Sequence, residues 1–430
     1  MRKTLRLALG AVAIAACTRA VRPGDAPTPT PSAATASESE LVARARAIHA
    51  RVITIDTHKD IPDNFATADA DPKTMNAQVN LDKMRAGGYD MAFFAVYVGQ
   101  GARTDSGNSF AKERALNKFS AIHRMAEQMY PSLIEIAYTP DDVTRIHNSG
   151  KLIAGIGIEN GWVIGKDLSL IKRYYDLGAR YMTLAHTSNN DICDSSTDPK
   201  GPEWHGLSPF GRQVVQEMNR VGMMVDVSHV SKECMMQATA LSTSPVIGSH
   251  SSTTAVANVP RNMDDEMLLA IKKNNGVMQT VAFSSYVKVQ PPERDTLVRK
   301  LNEEFYGATA AGGRGGRGGG RGRATLTSDR QAEFDRRMAD IDKRFPPPTV
   351  VDFVNHIDHA VKVAGIDHVG ISSDFDGGGG IVGWKDASET FNVTLELVRR
   401  GYSEENIRKL WGGNLLRVWA ENQKRAKPNA

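Results

Sequence analysis

The sequence IDTHKD, residues 55–60, is the stretch that decides the fold. A short apolar run that closes on charged side chains is typical of a strand buried on both faces whose end reaches a polar rim. Residues two apart in an extended chain point the same way, which predicts that His58 and Asp60 face one side together. Thr57 and Lys59 are predicted to face away from that side.

The same pattern, an apolar run that ends in a polar residue, recurs along the chain. The eight runs span residues 52–57, 91–98, 152–158, 180–185, 222–228, 246–249, 276–282 and 368–373. The helices predicted between them span 110–130, 168–177, 210–221, 232–241, 264–273 and 351–364. Buried strands that alternate with helices over eight units predict an α/β fold, a (β/α)8 TIM barrel of the metal-dependent hydrolase type. A doubly wound sheet is the alternative architecture.

Acidic and imidazole side chains stand at the ends of these runs. Beyond the first run they are Glu159, His186, His229, His250 and Asp374. Barrel enzymes place their chemistry at the carboxyl ends of the strands, so these side chains are predicted to meet at one rim together with His58 and Asp60. His356 and His359 lie three apart on a predicted helix and are interpreted as surface or packing residues.

The residue types at this rim are those that bind divalent metals. Imidazole and carboxylate are ligands of zinc and similar ions, and these side chains are more than one ion needs if a position is to stay open for water. Two ions that share one carboxylate fit the number better, and such a pair lowers the pKa of a bridging water towards about 7. A strand-end aspartate beside the ions is suited to carry a proton to the leaving group. The residues alone therefore predict metal-assisted hydrolysis without choosing the bond.

The start of the chain predicts export. Residues 1–16 combine a basic start with an apolar stretch too short to span a bilayer, as in a signal peptide. The sequence IAAC at 14–17 resembles a bacterial lipoprotein cleavage box, which predicts that Cys17 is lipidated as the first mature residue; a plain signal peptide is the alternative. Residues 17–40 are rich in Pro, Ala, Ser and Thr and are predicted to form a disordered linker. The expected location is the bacterial periplasm or outer membrane, with the lipid anchor as the only membrane attachment.

A glycine- and arginine-rich insert interrupts the barrel domain, which is predicted for residues 41–425. The insert spans about 308–328 and contains GGRGGRGGGRGR at 312–323. It is interpreted as a flexible surface insertion, in preference to an RNA-binding tract, because the arginines have no aromatic residues among them. The formal net charge of +4 is more than accounted for by the basic residues of the leader and of this insert. No broad basic surface and no nucleic-acid partner are therefore expected.

Cysteine is scarce in the predicted mature domain. Only Cys193 and Cys234 follow Cys17, which excludes a disulfide-rich scaffold. One disulfide is possible in an oxidising compartment, and the sequence leaves that pairing open.

Eight motifs in order resemble the membrane (renal) dipeptidase family, zinc metallopeptidases of the amidohydrolase-like barrel group. The motifs are IDTHKD (55–60), GIENG (157–161), YMTLAHTSNN (181–190), EMNRVGMMVDVSHVS (217–231), IGSHSS (247–252), PRN (260–262), VGISSDFDG (369–377) and GGNLLRVW (412–419). The match covers most of the chain after the predicted linker. It implies a barrel fold, dipeptides as substrates and two Zn²⁺ per subunit.

The resemblance also implies a role for each metal ligand. His58 and Asp60 match the ligands of the first zinc ion. Glu159 matches the carboxylate that bridges both ions. His229 and His250 match the ligands of the second.

Three further residues match catalytic or substrate-binding positions. His186 matches the residue that contacts the substrate carbonyl and steadies the tetrahedral intermediate. Arg261 matches the arginine that pairs with the terminal carboxylate of the substrate, a natural use of a bidentate guanidinium. Asp374 matches the acid–base that shuttles a proton to the leaving amine, and Asp376 is the less suitable candidate for that role.

Several positions depart from the family pattern. Family members often read DGHND where this chain has Thr57 and Lys59, and a glycine pair where it has Asn160 and Gly161. The loop at 189–204 is long and rich in aspartate, which leaves the side-chain preference of the substrate undecided.

Residues and resemblance together predict an exported zinc-dependent dipeptidase that acts through a metal-bridged hydroxide, on dipeptides that include those with a C-terminal D-residue. One alternative keeps the metals and changes the bond, as in an N-acyl amino acid deacylase, a lactonase or a β-lactam hydrolase. Another is a binding lipoprotein that has lost catalysis. A homodimer is expected from the resemblance only.

Overall fold

The computed structural model describes residues 36–307 and 326–427. The signal peptide predicted at 1–16, the lipidation site Cys17 and most of the predicted linker lie outside these ranges. Insert residues 308–325 also lie outside them.

The chain divides into two units, Met1–Glu38 and Ser39–Ala430, and the second unit holds the barrel. The first helix begins at Glu38, so helical structure starts before the domain boundary predicted at residue 41. Across the described parts of the chain, we find no helix that is both long enough and apolar enough to cross a membrane.

Within the described residues, nine strands form one sheet. They are β1 Ile55–Asp60, β2 Met91–Tyr97, β3 Ile134–Ile136, β4 Leu152–Glu159, β5 Ala179–Thr183, β6 Met224–Asp226, β7 Ile247–Ser251, β8 Val277–Val281 and β9 Val369–Ser372. The strands pair in parallel in the order β1-β2-β4-β5-β6-β7-β8-β9, and β3 pairs with β4 outside that order. The N–H of Asp60 donates to the carbonyl of Phe375, 2.9 Å away, and so joins the end of β9 to β1. The predicted (β/α)8 barrel is confirmed.

Within the described residues, one helix precedes the first strand and the others lie between and after the strands. They are α1 Glu38–His49, α2 Leu81–Gly87, α3 Asp105–His123, α4 Pro140–Asn148, α5 Ser169–Asp176, α6 Pro209–Val221, α7 Lys232–Leu241, α8 Asp265–Lys273, α9 Ser284–Val287, α10 Pro292–Tyr306, α11 Ser328–Arg344, α12 Val350–Ala364, α13 Phe391–Arg399, α14 Glu404–Arg408 and α15 Asn414–Arg425. Helix α7 has the predicted bounds because the Ser231 side chain caps its start, accepting from Cys234 N at 3.1 Å. Helix α3 begins earlier than predicted and continues into a π-helical turn, Arg124–Met129.

The first strand starts later than the apolar run predicts. Val52 belongs to the turn that ends α1, since its N–H donates to the carbonyl of Ile48 at 3.1 Å. Strand β1 therefore covers 55–60 rather than 52–57, and His58 and Asp60 lie within the strand instead of after it.

Nearly every strand contributes at least one apolar side chain to the barrel interior. This group comprises Ile55, Met91, Phe93, Ile153, Tyr181, Met224, Ile247 and Val277, with Leu415, Val418 and Trp419 of α15 packed against it. A side chain at Gly157 of β4 would collide with the Tyr181 ring, so that glycine makes room for the ring inside the barrel. Tyr181 is thereby placed directly below the strand ends.

The glycine- and arginine-rich insert joins α10 to α11, between the seventh and eighth barrel strands, as the sequence predicts. The two helices pack through Phe305 and Phe334, whose ring centroids are 5.4 Å apart. Arg337 of α11 forms an ion pair of 2.6 Å with Glu304 of α10.

Candidate metal centre

Seven buried side chains converge at the carboxyl ends of the barrel strands, as predicted. His58 and Asp60 lie in β1, Glu159 is the last residue of β4 and His250 lies in β7; His186, His229 and Asp374 follow the ends of β5, β6 and β9. Six of them are at most 2% exposed and Asp60 is 9% exposed. The cluster is thus almost closed to bulk water.

Glu159 occupies the middle of the cluster. Its Oε2 lies 3.3 Å from His58 Nε2, while its Oε1 lies 3.1 Å from His229 Nε2. The Nε2 atoms of His186 and His250 are 3.3 and 3.6 Å from the same Oε1. The two carboxylate oxygens therefore face different imidazoles, which is the geometry a carboxylate needs to bridge two ions.

The donor atoms form three overlapping groups in which all atoms lie within 4.8 Å of one another. The groups are His58, Glu159 and His250; Glu159, His186 and His229; and His58, Asp60 and Asp374. Because the groups share Glu159 and His58, they describe adjacent positions rather than separate sites. His186, predicted as a substrate contact, lies as close to Glu159 as the predicted ligands do.

These side chains fit a bound cation better than they fit one another. His58 Nε2 is buried and makes no hydrogen bond of good geometry, although Glu159 Oε2 and Asp60 Oδ2 lie 3.3 and 3.6 Å away. The Nε2 atoms of His229 and His250 face each other at 2.8 Å. Nitrogen lone pairs and carboxylate oxygens that converge in this way are a donor set suited to zinc and similar divalent ions.

Hydrogen bonds on the far side of two imidazoles fix which nitrogen faces the centre. Tyr181 donates its hydroxyl to the carbonyl of Thr57 at 2.8 Å, so it accepts from His58 Nδ1 at 3.1 Å. Ser249 donates to Asp226 Oδ2 at 2.6 Å and so accepts from His250 Nδ1 at 2.7 Å. In both neutral imidazoles the proton sits on Nδ1, and the lone pair of Nε2 is free to coordinate a metal ion.

The electrostatics of the two imidazoles differ. Burial lowers the pKa of His250 well below its usual value, and the nearby His58 adds to the effect, so His250 is neutral as a metal ligand must be. Burial also works to lower the pKa of His58, but Tyr181 and the carboxylates of Glu159 and Asp60 outweigh it and raise that pKa well above its usual value. The surrounding carboxylates therefore favour a positive charge at His58 Nε2, which is a proton when no ion is bound and a metal ion in its place when one is.

Asp374 is held in a strained conformation beside the first-strand carboxylate. Its φ is +57°, and that of His229 is +70°, a left-handed region that costs energy for residues with a side chain. A side chain at Gly377 would overlap both Asp60 Oδ2 and Asp374 Oδ1, so only glycine allows the chain to pass this close. Such strain, kept by the surrounding structure, is typical of functional sites.

Lys59 and Asp376 form a buried ion pair behind the centre. Lys59 is fully buried, and its Nζ lies 3.2 Å from Asp376 Oδ2 and over the rings of Phe65 and Phe94. Asp376 also accepts from the main-chain N–H of Gln78 at 2.7 Å. Lys59 thus faces away from the ligands as predicted, and Asp376 is occupied with main-chain and lysine partners.

Thr57 does not face away from the ligand side, contrary to the prediction. Its hydroxyl donates to the carbonyl of Ser249 at 2.6 Å, across the barrel interior and next to His250. The pairing of β1 with β2 is irregular between Asp56 and Lys59, and this break in the two-residue alternation turns Thr57 inwards.

Arg261 lies in the loop that follows β7 and is 5% exposed. Its Nη2 donates to the carbonyl of His250 at 3.1 Å, and its guanidinium carbon lies 5.3 Å from the centre of the Tyr286 ring. The structure therefore places this cation beside a candidate metal ligand.

The aspartate-rich loop after β5 is organised by its own carboxylates. Asp194 accepts from the main-chain N–H groups of Glu203 at 2.8 Å and Gly206 at 2.9 Å. Cys193 and Cys234 form a disulfide that ties this loop to α7. The acidic side chain that anchors the loop therefore points to its own main chain rather than to a metal.

A cavity of about 620 Å³ opens beside this loop. Its walls are residues 100–103 after β2 and residues 188–189 and 198–203 after β5. Asn160, next to Glu159, donates to Gln100 Oε1 at 3.3 Å and so connects one wall to the candidate centre. Arg103 and Glu203 form an ion pair of 2.9 Å between the two walls.

Three residues that shape the centre were not singled out from the sequence. Tyr181 accepts from His58 Nδ1, Asp226 accepts from the Ser249 hydroxyl that holds His250, and the Tyr97 ring lies 4.8 Å from that of His186. Tyr181 and Asp226 lie in motifs quoted above, but no spacing rule marks residues that act through a partner on another strand.

Comparison with known proteins agrees with this geometry. Residues 42–430 match the profile of the membrane dipeptidase family, peptidase family M19. The chain is similar to the dipeptidase tcpJ of Claviceps purpurea (strain 20.1), with 32% identity over 354 residues, 81% of this chain and 70% of that protein.

Two solved structures have the same fold. The structure of the probable dipeptidase PvdM from Pseudomonas aeruginosa is 31% identical and superposes with a TM-score of 0.77, covering 90% of this chain and 100% of that one. A metallopeptidase from Rhodobacter sphaeroides, solved with a phosphinate mimic of L-Ala-D-Ala, is 20% identical with a TM-score of 0.63, covering 86% and 99%.

Proposed function

This chain belongs to the membrane dipeptidase family and is a metallodipeptidase, and from that premise we propose that it hydrolyses dipeptides with two zinc ions held in the strand-end cluster. His58 and Asp60 would hold the first ion, and His229 and His250 the second. Glu159 would bridge them. The observation that carries this proposal is that the two oxygens of Glu159 face His58 on one side and His229 on the other.

The metal ions and the protein would divide the chemistry. When bound, two zinc ions would activate a water molecule as the nucleophile and polarise the scissile carbonyl. Asp374, strained and adjacent to Asp60, accepts the proton of the attacking water and delivers it to the leaving amine. His186 is close enough to the cluster to donate a hydrogen bond to the carbonyl oxygen as negative charge develops there.

Arg261 would select substrates by their terminal carboxylate. A buried guanidinium beside the centre offers paired N–H donors that match a carboxylate in geometry and charge. A free carboxylate is common to all dipeptides and is independent of the configuration of the last residue. We therefore include dipeptides with a C-terminal D-residue among the substrates.

We also propose that the protein is exported and anchored by a lipid at Cys17. Residues 1–17 support this proposal by their sequence, and the Cys193–Cys234 disulfide supports it because disulfides persist in oxidising compartments. Cys17→Ser in the full-length chain should release the protein from the membrane fraction. A wild-type protein that is recovered only from the cytoplasm would contradict export. The homodimer expected from the family resemblance is tested by light scattering of the purified chain.

The function is tested with a panel of L-Ala-L-Ala, L-Ala-D-Ala and an N-acetyl amino acid, with metal content measured on the same samples. The wild type should bind about two zinc ions and prefer the dipeptides. His229→Ala should lose activity and about one zinc ion, whereas His123→Ala, which removes a partly exposed imidazole far from the centre, should change neither. No turnover of any dipeptide, or unchanged turnover in His229→Ala, would contradict the proposal. Preference for the N-acetyl substrate would favour the deacylase.

A further inference from the structure

His356 is a buried histidine outside the metal cluster, and both of its ring nitrogens have partners. It lies on α12 and is fully buried. Its Nδ1 accepts from the N–H of Thr253 at 3.1 Å and from the hydroxyl of the same residue at 3.0 Å. Its Nε2 donates to the carbonyl of Val287 at 2.9 Å. The imidazole therefore connects the loop after β7 to the short helix α9, which follows β8.

The first partner closes the loop that carries Arg261. Thr253 forms a bridge with Met263, and the N–H of Met263 donates to the carbonyl of Ser252 at 2.9 Å. The segment between these points turns back on itself and delivers Arg261 to the centre. Holding Thr253 therefore holds the base of the arginine loop.

The second partner borders the surface on which Arg261 rests. Val287 follows Tyr286, whose ring lies 5.3 Å from the guanidinium carbon. The carbonyl of Tyr286 also accepts from Asn262 Nδ2 at 2.9 Å, so the residue after Arg261 is tied to the same helix. The imidazole thus fixes the distance between the base of the arginine loop and the aromatic ring beneath the guanidinium.

The hydrogen bonds require a neutral imidazole with its proton on Nε2. A proton on Nδ1 would leave the Thr253 N–H without an acceptor in a buried position, which is costly. Burial lowers the pKa of His356, and the carbonyl of Val287 opposes this only in part. The hydrogen bonds of His356 to Thr253 and to Val287, together called the clasp, are therefore intact across the neutral pH range.

We propose that His356 is a positioning residue that sets the guanidinium of Arg261 for the terminal carboxylate of the substrate. The inference rests on the proposed function, because it assumes that Arg261 binds that carboxylate. A bidentate contact tolerates little displacement, so a shift of the loop by about 1 Å would weaken it. His356 touches neither substrate nor metal, and it acts through Thr253 and Val287 alone.

The test compares a dipeptide with its C-terminal amide in wild type, His356→Leu and His356→Gln. The loss of the clasp in His356→Leu should raise KM for the dipeptide about tenfold and leave kcat within about twofold. KM for the amide should stay unchanged. Where the amide is turned over too slowly for KM to be measured, its inhibition constant against the dipeptide should stay unchanged instead. Glutamine can accept from Thr253 and donate to Val287, so His356→Gln should recover most of the wild-type KM.

The control is His359→Leu, a change on the same helix. His359 is partly exposed and pairs with Asp265 of α8 at 2.6 Å, so this variant should keep the wild-type KM. If His356→Leu does not fold, Thr253→Val removes one bond to Nδ1 at nearly equal volume and should raise KM for the dipeptide about threefold.

Three results would overturn the inference about His356. They are an equal effect on dipeptide and amide, a loss of kcat at constant KM, and failure of glutamine to restore binding. A wild-type enzyme that does not distinguish the dipeptide from its amide would instead contradict the role proposed for Arg261. Zinc content measured on each variant separates both outcomes from damage to the centre.

Discussion

The two sides of the candidate metal centre are built differently. On one side His58, Asp60 and His250 lie within strands, and the two imidazoles are held by side chains of other strands, His58 by Tyr181 of β5 and His250 through Ser249 by Asp226 of β6. On the other side His186 and His229 lie beyond the ends of β5 and β6. Residues within strands are held in place by the main-chain hydrogen bonds of the barrel sheet. Residues beyond the strand ends depend on the hydrogen bonds and cross-links that hold their loops.

The loop side is tied by the segment after β5. Ser195 donates its hydroxyl to the carbonyl of His186, and the N–H of Ser196 donates to the carbonyl of His229 at 2.8 Å. The disulfide of Cys193 to Cys234 lies next to these bonds. Both ligands proposed for the first ion lie in β1, whereas the second ion would take one ligand from a strand, His250, and one from the loop side, His229. The proposed second zinc position should therefore be the more easily disturbed one.

Loss of the residue shared by both sides should have the largest effect. Glu159→Gln removes the bridging charge, so activity should fall roughly 10³-fold or more, the scale of losing a principal charge-stabilising group. Zinc content should fall at both positions, as measured by elemental analysis. Glu135→Gln is the matched control, since this partly exposed carboxylate pairs with Lys151, and the variant should keep both ions. Retention of two zinc ions by Glu159→Gln would contradict the bridging role.

The next largest effect should come from the ion pair of Lys59 and Asp376, which lies behind the strand side of the centre. Lys59→Met leaves the Asp376 carboxylate, which is 16% exposed, without its cation, and this should lower the free energy of unfolding by about 3 kcal/mol in urea titrations, the low end for breaking a buried pair. Adding Asp376→Asn should recover part of that loss. The exposed pair of Lys73 and Asp82 is the control, since Lys73→Met should cost at most about 1 kcal/mol. Equal costs for Lys59→Met and Lys73→Met would show that the buried pair does not brace the barrel.

A smaller effect is expected from the hydrogen bond that orients the strand-side imidazole. Tyr181→Phe removes the acceptor of His58 Nδ1–H and should weaken zinc binding at the first position by about 10–100-fold, with less change at the second. Competition with a coloured chelator measures both affinities. Tyr174→Phe removes another buried hydroxyl, which donates to the carbonyl of Val163, and should leave both affinities unchanged.

The smallest effect should come from the disulfide on the loop side. Cys193→Ser combined with Cys234→Ser should weaken the second zinc position several-fold, below the range of a direct supporting bond, and spare the first. Reductant should change the wild type in the same way and have no effect on the double variant. Equal weakening at both positions would remove the distinction between the two sides.

Much of the fold was predictable because its signals are local. A buried parallel strand reads as a continuous apolar run, and the runs at 91–98 and 152–158 coincide closely with β2 and β4. The cap of α7 is a signal of the same kind. Helices α10 and α11 were not predicted, since they have little buried apolar surface and pair mainly with each other.

Side-chain direction was less predictable. Thr57 was assigned to the wrong side because a two-residue alternation assumes a regular strand, and β1 is irregular there. His186 was predicted to reach the rim, and the resemblance implied a substrate contact for it, but its distance of 3.3 Å from Glu159 depends on the path of the chain beyond β5. Neither feature has a signature within a few residues.

The sequence by itself determined the barrel, the family and which donor residues stand at the strand ends, because hydrophobic alternation and residue type act over short distances. Only the tertiary structure decided that Lys59 pairs with Asp376, that Cys193 pairs with Cys234 and that His356 bridges Thr253 and Val287. These contacts join residues far apart in the chain. The partners come within contact distance only after the barrel has closed, because closure brings the strand ends and their loops together.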